Sequence, residues 1–118
     1  MEPAHLVGTG GAIGAVARYT VGQLFTSDRV PFSTLAVNVV GSFALGLVVF
    51  AGLNSDAALL VGTGACGSFT TYSSFSVQSV RLWETGERLR ASIYAFGTLG
   101  LCLAAAGIAA GLVTVLQL

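Results

Sequence analysis

Four apolar stretches separated by short polar segments make up almost the whole chain. Each is close to the roughly 20 residues that a helix needs to cross a membrane. They predict helices over residues 3–25, 31–53, 57–80 and 91–117, within one domain of residues 1–118. The connections are short, so helices adjacent in sequence should run antiparallel. Asp56 is expected to cap the third helix.

The third stretch differs from the others because glycines and then hydroxyl residues interrupt it between Gly62 and Ser76. Glycine, serine and threonine weaken a continuous helix. A break at membrane depth is tolerated only where the backbone is buried in protein or lines a cavity. Such breaks mark ion and substrate sites in transporters. The third helix is therefore predicted to be broken and functional.

Composition supports a membrane protein, because 54% of the residues are hydrophobic and 8% are charged, against roughly 25% charged in soluble domains. A net charge of zero argues against nucleic-acid binding. Cys66 and Cys102 are interpreted as small packing residues, and His5 is the single histidine. This set predicts neither a catalytic triad nor a side-chain metal site, so an enzyme is not expected. The N-terminus has no basic region, which favours a retained first helix over a cleaved signal.

Two polar residues lie inside apolar stretches, and each has two interpretations. Arg18 could attract an anion at a pore mouth or could anchor the helix end at the membrane surface. Asn38 could donate to an ion or could bind another helix. Gly10 and Gly14 are four residues apart and are predicted to pack against a neighbouring helix.

Other polar and aromatic residues share helix faces. Tyr94, Thr98 and Cys102 follow each other at four-residue spacing, and Tyr72 and Phe75 are three apart. Taken alone, both sets are better explained by packing. However, all five carboxylates fall at ends or in connections, whereas a proton-coupled cation pump needs an acid within the membrane. Hydroxyls, an amide and aromatic ring edges suit a dehydrated anion instead.

Three segments carry a family resemblance: Gly11–Tyr19, Asn38–Phe43 and Gly62–Phe75. In order and spacing they resemble the signature of the Fluc (CrcB-type) fluoride channels, and the resemblance covers essentially the whole chain. It implies passive fluoride export through the cell (inner) membrane. It also implies an antiparallel, dual-topology dimer of four-helix subunits with two pores.

The resemblance also implies roles for individual residues. The fluoride pathway would comprise Asn38, Tyr72, Phe75, Tyr94 and Thr98, with Arg18 at the vestibule. Backbone carbonyls of Gly67 and Thr70 would hold a structural sodium ion that is not transported. Two residues depart from the family pattern: Tyr72 replaces a usual phenylalanine, and Gln78 stands where glutamate is frequent.

The arginines are distributed unevenly between the two ends of the predicted helices. Arg29, Arg81, Arg88 and Arg90 all lie in the first and third connections, which predicts that these connections are cytoplasmic. Such a bias leaves two partners open, a second copy of the chain or an oppositely oriented homologue. Two alternative functions are a small multidrug-type antiparallel dimeric exporter and a non-conducting membrane assembly subunit.

Overall fold

A computed structural model describes residues 2–25 and 31–117. Within them all of the regular secondary structure is helical. The elements are α1 (Pro3–Leu24), α2 (Phe32–Phe50), α3 (Ser55–Ala57), a π-helix (Ala58–Cys66), α4 (Gly67–Phe69), α5 (Ser73–Glu84) and α6 (Arg88–Leu116). The long axis of the molecule measures 48 Å, which is close to the ~40–45 Å of a bilayer with its headgroups.

The third predicted helix is broken, as expected. Its first half, residues 55–69, is helical throughout, and its second half is α5. Between them Thr70 has an extended backbone, with φ −81° and ψ 161°. The prediction that the third helix is broken is confirmed, and the structure places the break at Thr70.

Two boundary predictions need correction. The charged segment 81–90 was expected to be a connection, yet α5 continues to Glu84 and α6 begins at Arg88. Arginine and glutamate are good helix formers, so only a tight turn containing Gly86 (φ +89°) separates the two helices. The cap before the third segment is Asn54 and not Asp56, because Asn54 Oδ1 accepts from the Ala57 N–H at 2.9 Å.

The helices pack as two pairs, α1 with the π-helix and α2 with α6. Gly10 and Gly14 of α1 lie directly against the third segment, where a Cβ would collide with Leu60 and Ala65 backbone. Their predicted packing role is confirmed. Gly46 of α2 similarly meets Ala106 and Ala109 of α6. Small residues thus bring the backbones together, as is usual for helices in membranes.

The outside of the molecule is apolar. On α6, Ile93, Phe96, Leu103 and Val115 each expose more than half of their surface. Among the described residues, α2 and α6 are the helices that are both long and apolar enough to cross a membrane. These features are consistent with a helical membrane protein. That α1 and the broken third segment also span the membrane stays a prediction.

Candidate functional site

The side chain of Asn38 on α2 bridges to the break in the third segment. Its Nδ2 donates to the Thr71 carbonyl at 2.9 Å, and its Oδ1 accepts from the Thr71 N–H at 2.8 Å. Both backbone groups of Thr71 are therefore satisfied, and an unpaired group would be costly within a membrane. Gly41, close to Asn38 on α2, makes room for the Thr70 side chain. Asn38 thus binds another helix, which was one of its two predicted interpretations.

The hydrogen bonds around the break redirect two backbone donors. In a continuous helix the Thr71 N–H would donate to the Gly67 carbonyl, but it donates to Asn38 instead. The Ser74 N–H would likewise serve the Thr70 carbonyl, but it donates to Thr71 Oγ1 at 3.2 Å. The carbonyls of Gly67 and Thr70 therefore lose their regular helical donors.

A groove of about 300 Å³ lies between α2, the break, α5 and α6. Its lining is mostly apolar, and it is called the polar groove here for the uncharged hydrogen-bonding side chains that it contains. Its hydrogen-bonding side chains come from Asn38, Ser42, Thr70, Thr71, Tyr72, Thr98 and Cys102. Apolar walls come from Leu45, Phe75 and Leu99. None of these lining residues is charged. The groove offers uncharged hydroxyl and amide groups and aromatic ring edges, which can donate to an anion.

Thr98 contributes a buried hydroxyl beside the groove. The residue is 5% exposed, and its Oγ1 has no hydrogen-bond partner within the described part of the chain. A buried hydroxyl without a partner costs roughly 1–3 kcal/mol. Such a group in a native structure calls for water or an ion beside it.

Three aromatic rings form a row from the break towards α6. The Tyr72 and Phe75 centroids are 6.2 Å apart, and those of Phe75 and Tyr94 are 5.4 Å apart, both pairs tilted. Tyr94 is buried, and its hydroxyl donates to Gln78 Oε1 at 3.1 Å. Tyr72 is 81% exposed, so its ring projects away from the rest of the subunit.

The predicted residues divide into three groups. Asn38, Tyr72, Phe75 and Thr98 line the polar groove. Tyr94 contacts this group through Phe75 and lines a neighbouring cleft that shares Thr98 with the groove. Arg18 is exposed on α1 and does not line the groove.

Sequence reasoning did not single out Thr71, although Thr71 carries the hydrogen bonds that shape the break. The sequence feature that could have indicated this role is Thr71 itself, the second threonine of the pair that follows the glycines. Such a residue is suited to accept from a backbone N–H at the start of a new helix. Its Oγ1 does so for α5.

An apolar exterior around a groove lined by uncharged donors is typical of a membrane transport protein. A family model described as "CrcB-like protein, Camphor Resistance (CrcB)" matches residues 5–112. The chain belongs to this CrcB family.

Several curated relatives are similar over nearly their whole length. "Fluoride-specific ion channel FluC 2" of Haloarcula marismortui is 54% identical over 115 residues, covering 98% of this chain and 97% of that protein. "Fluoride-specific ion channel FluC 1" of Halobacterium salinarum is 48% identical over 97 residues, 82% of each chain. "Fluoride-specific ion channel FluC" of Rhizobium etli is 44% identical over 115 residues, 89% of this chain and 90% of that one. The predicted family is confirmed.

Proposed function

We propose that this chain is a subunit of a fluoride-specific channel that lets fluoride leave the cell passively and so lowers its cytoplasmic concentration. The observation that carries the proposal is the unpartnered Thr98 hydroxyl in a groove without charged lining residues. A dehydrated fluoride ion needs fixed donors that bind it weakly enough to release it. The family relatives named as fluoride channels support the choice of ion.

Individual roles follow from the lining of the groove. Thr98 donates its free hydroxyl, and Asn38 offers the second hydrogen of an amide whose first hydrogen binds Thr71. Tyr72 and Phe75 present ring edges, and Tyr94 supports Phe75 at the end of the row. Arg18 attracts the anion at the vestibule.

A second subunit is part of the proposal. Tyr72 is exposed in the single subunit, and a polar groove that is open on one side is unfavourable in lipid. An antiparallel copy of the chain would cover the groove and the break. Because every loop arginine lies at one end of the predicted bundle, an oppositely oriented homologue is an equal candidate for the partner. Either pair would reside in the cell (inner) membrane.

A sodium ion at the subunit interface completes the proposed assembly. Hard cations bind oxygen ligands, and the redirected N–H groups of Thr71 and Ser74 leave the Gly67 and Thr70 carbonyls available. The described residues contain no group of three or more His, Cys, Asp or Glu side chains that could hold a metal, so carbonyls are the suitable ligands. Sodium bound there would stabilise the dimer and would not be transported. Exchanging sodium for N-methylglucamine should lower the dimer fraction, and an unchanged fraction would exclude this role.

The function is tested with the purified chain in liposomes. A fluoride electrode follows fluoride efflux, and the same vesicles loaded with chloride are the control. Rapid fluoride efflux without chloride efflux is expected. Thr98→Val should slow it while leaving the protein folded.

Absence of efflux from the chain alone, followed by efflux on co-expression with a homologue, would select the hetero-pair. Absence of efflux in both preparations would refute the channel. Proton-coupled uptake of a cationic dye would instead support a multidrug-type exporter, which the uncharged groove lining disfavours.

A further inference from the structure

The two carbonyls of the proposed sodium site lie at the ends of a short unit, residues 67–70, that consists of α4 and Thr70. Before this unit comes the π-helix, a rare helix type that is frequent at functional sites. At their junction the Gly67 N–H donates to the Gly62 and Gly64 carbonyls. After the unit comes the break. The hydrogen-bond ladder of a regular α-helix is therefore interrupted on both sides of the 67–70 unit, so contacts with other helices must fix its orientation.

One such contact comes from α2. Asn38 hydrogen-bonds both backbone groups of Thr71, directly after the unit, and Gly41 leaves space for the Thr70 side chain. Thr70 is also bound to the end of the π-helix, because its N–H and its Oγ1 both donate to the Cys66 carbonyl, at 3.1 and 2.9 Å. The second carbonyl of the unit is thus fixed from the α2 side.

The opposite contact comes from α1 and is made by Ser68. Its Oγ donates to the Gly11 carbonyl at 2.7 Å, and the same oxygen lies 3.3 Å from the Ala65 carbonyl oxygen of its own segment. A hydroxyl has a single hydrogen, so the shorter contact, to α1, takes it. The hydroxyls of Ser76 and Ser79, by contrast, donate to carbonyls of the same segment. Ser68 is therefore a hydrogen-bond donor between helices.

The glycines of α1 make this contact possible. A serine side chain is short, so its hydroxyl reaches a carbonyl of another helix only where the two backbones approach closely, as small residues allow. Gly14 provides the space, because an added Cβ would collide with Ser68 Oγ and with the Ala65 carbonyl. One turn away, a Cβ on Gly64 would lie 2.9 Å from the Cα of Gly10. The close packing of α1 thus places one hydroxyl against its backbone.

We propose that Ser68 is a positioning residue for the sodium site: its bond to α1 holds the 67–70 unit in the orientation that presents the Gly67 and Thr70 carbonyls to sodium. Ser68 follows Gly67 directly and precedes Thr70 by two residues, so a rotation of the unit moves both carbonyls together. The affinity of an oxygen site for a hard cation depends on the rigidity of its ligands. The inference rests on the sodium role proposed above, and it assigns no contact between the Ser68 side chain and the ion.

Sodium titration of the purified chain tests the proposal. The dimer fraction is measured by size-exclusion chromatography with light scattering, at a fixed protein concentration in detergent micelles. Sodium chloride replaces N-methylglucamine chloride at constant ionic strength. Ser68→Ala should raise the sodium concentration at the midpoint about threefold, the effect of one interhelical hydrogen bond of average strength in a membrane, and should reach the same dimer fraction at high sodium. A lower dimer fraction at every sodium concentration, with an unchanged midpoint, would make Ser68 a structural contact only and would overturn the proposal.

A second variant reaches the same contact from α1. Gly14→Ala displaces the Ser68 hydroxyl and should also raise the sodium midpoint, so the test does not depend on one substitution. Its matched control is Gly22→Ala, because Gly22 of α1 has open space around it. Ser79→Ala is the control for Ser68→Ala, since it removes a hydroxyl that donates to the Phe75 carbonyl of its own helix at 2.8 Å. Both controls should keep the midpoint of the unmodified chain, and a shift as large in the controls would refute a specific role for Ser68.

The unmodified chain separates failure of this inference from failure of the sodium role. If its dimer fraction does not respond to sodium, the sodium role is wrong and Ser68 has no ion site to position. If it responds, and Ser68→Ala responds with the same midpoint, the sodium role stands and the positioning role alone is refuted. If the chain forms a pair only with an oppositely oriented homologue, the same titration is made on the co-expressed pair, with the same expected shift.

Discussion

Asn38→Ala is the perturbation that most directly tests how the broken segment is built. The change removes the amide that donates to the Thr71 carbonyl and accepts from the Thr71 N–H, at 2.9 and 2.8 Å. No backbone group can take over both of these hydrogen bonds unless the helix closes across the break. The substitution should therefore lower the free energy of unfolding and also slow the efflux of fluoride.

The size of the effect is bounded by two measures of hydrogen bonding. Interhelical bonds within membranes average about 0.6 kcal/mol and reach about 1.7 kcal/mol, so two of them give about 1–3 kcal/mol. Leaving a buried donor or acceptor unpaired costs about 1–3 kcal/mol per group in proteins generally. Because the polar groove can admit water to the unpaired groups of Thr71, we expect Asn38→Ala to lower the free energy of unfolding by about 2 kcal/mol.

The assay is unfolding of the purified protein by SDS in mixed micelles, followed through the fluorescence of Trp83 at a fixed protein concentration. Ser42→Ala is the matched control, because Ser42 lies on α2 one turn from Asn38 and lines the same groove. The control should stay within about 0.5 kcal/mol of the unmodified chain, as substitutions away from special features usually do. If Asn38→Ala stays within the same margin, the hydrogen bonds to Thr71 do not maintain the break.

Three further substitutions separate stability from conduction. Thr98→Val removes the unpartnered hydroxyl, so the free energy of unfolding should be unchanged or up to about 1 kcal/mol higher. Fluoride efflux should fall, and unchanged efflux would exclude Thr98 from the path. Gly14→Ala places a Cβ against the Ala65 carbonyl and should lower the free energy of unfolding by about 1–3 kcal/mol. Gly22→Ala is its control, because Gly22 has open space around it, and it should be tolerated in the same unfolding assay. Phe75→Leu removes two tilted ring contacts worth about 0.5–1.5 kcal/mol each. A variant that retains full stability and full fluoride efflux would show that the aromatic row is dispensable.

Much of the fold could be predicted because its signals are local. The apolar stretches, the helix-packing glycines Gly10 and Gly14, and the position of the break all follow from residues close together in sequence. The end of α5 was harder to predict. The charged residues of this segment suggested a connection between helices. The helix instead continues through Arg81 to Glu84 and ends just before Gly86, which has a positive φ.

The construction of the site could not be read from the sequence, because its decisive contacts are long-range. Asn38 and Thr71 are 33 positions apart, and no periodicity joins them. Tyr94 and Gln78 come from different helices in the same way. The sequence offered each polar residue a packing role and an ion-binding role. The structure gives Asn38 a contact with another segment. It leaves the hydroxyl of Thr98 without a hydrogen-bond partner in the described part of the chain.

The contact of Asn38 with Thr71 also links the two proposed ion sites. The amide lines the groove proposed for fluoride, and it accepts the N–H that a regular helix would direct to the Gly67 carbonyl. One side chain therefore keeps the groove open and keeps a proposed sodium ligand free. When Asn38 is absent, the Thr71 N–H can return to Gly67 and the helix can close. On this reasoning Asn38→Ala weakens the response of the dimer to sodium, whereas Thr98→Val, which removes no hydrogen bond of the break, leaves that response unchanged.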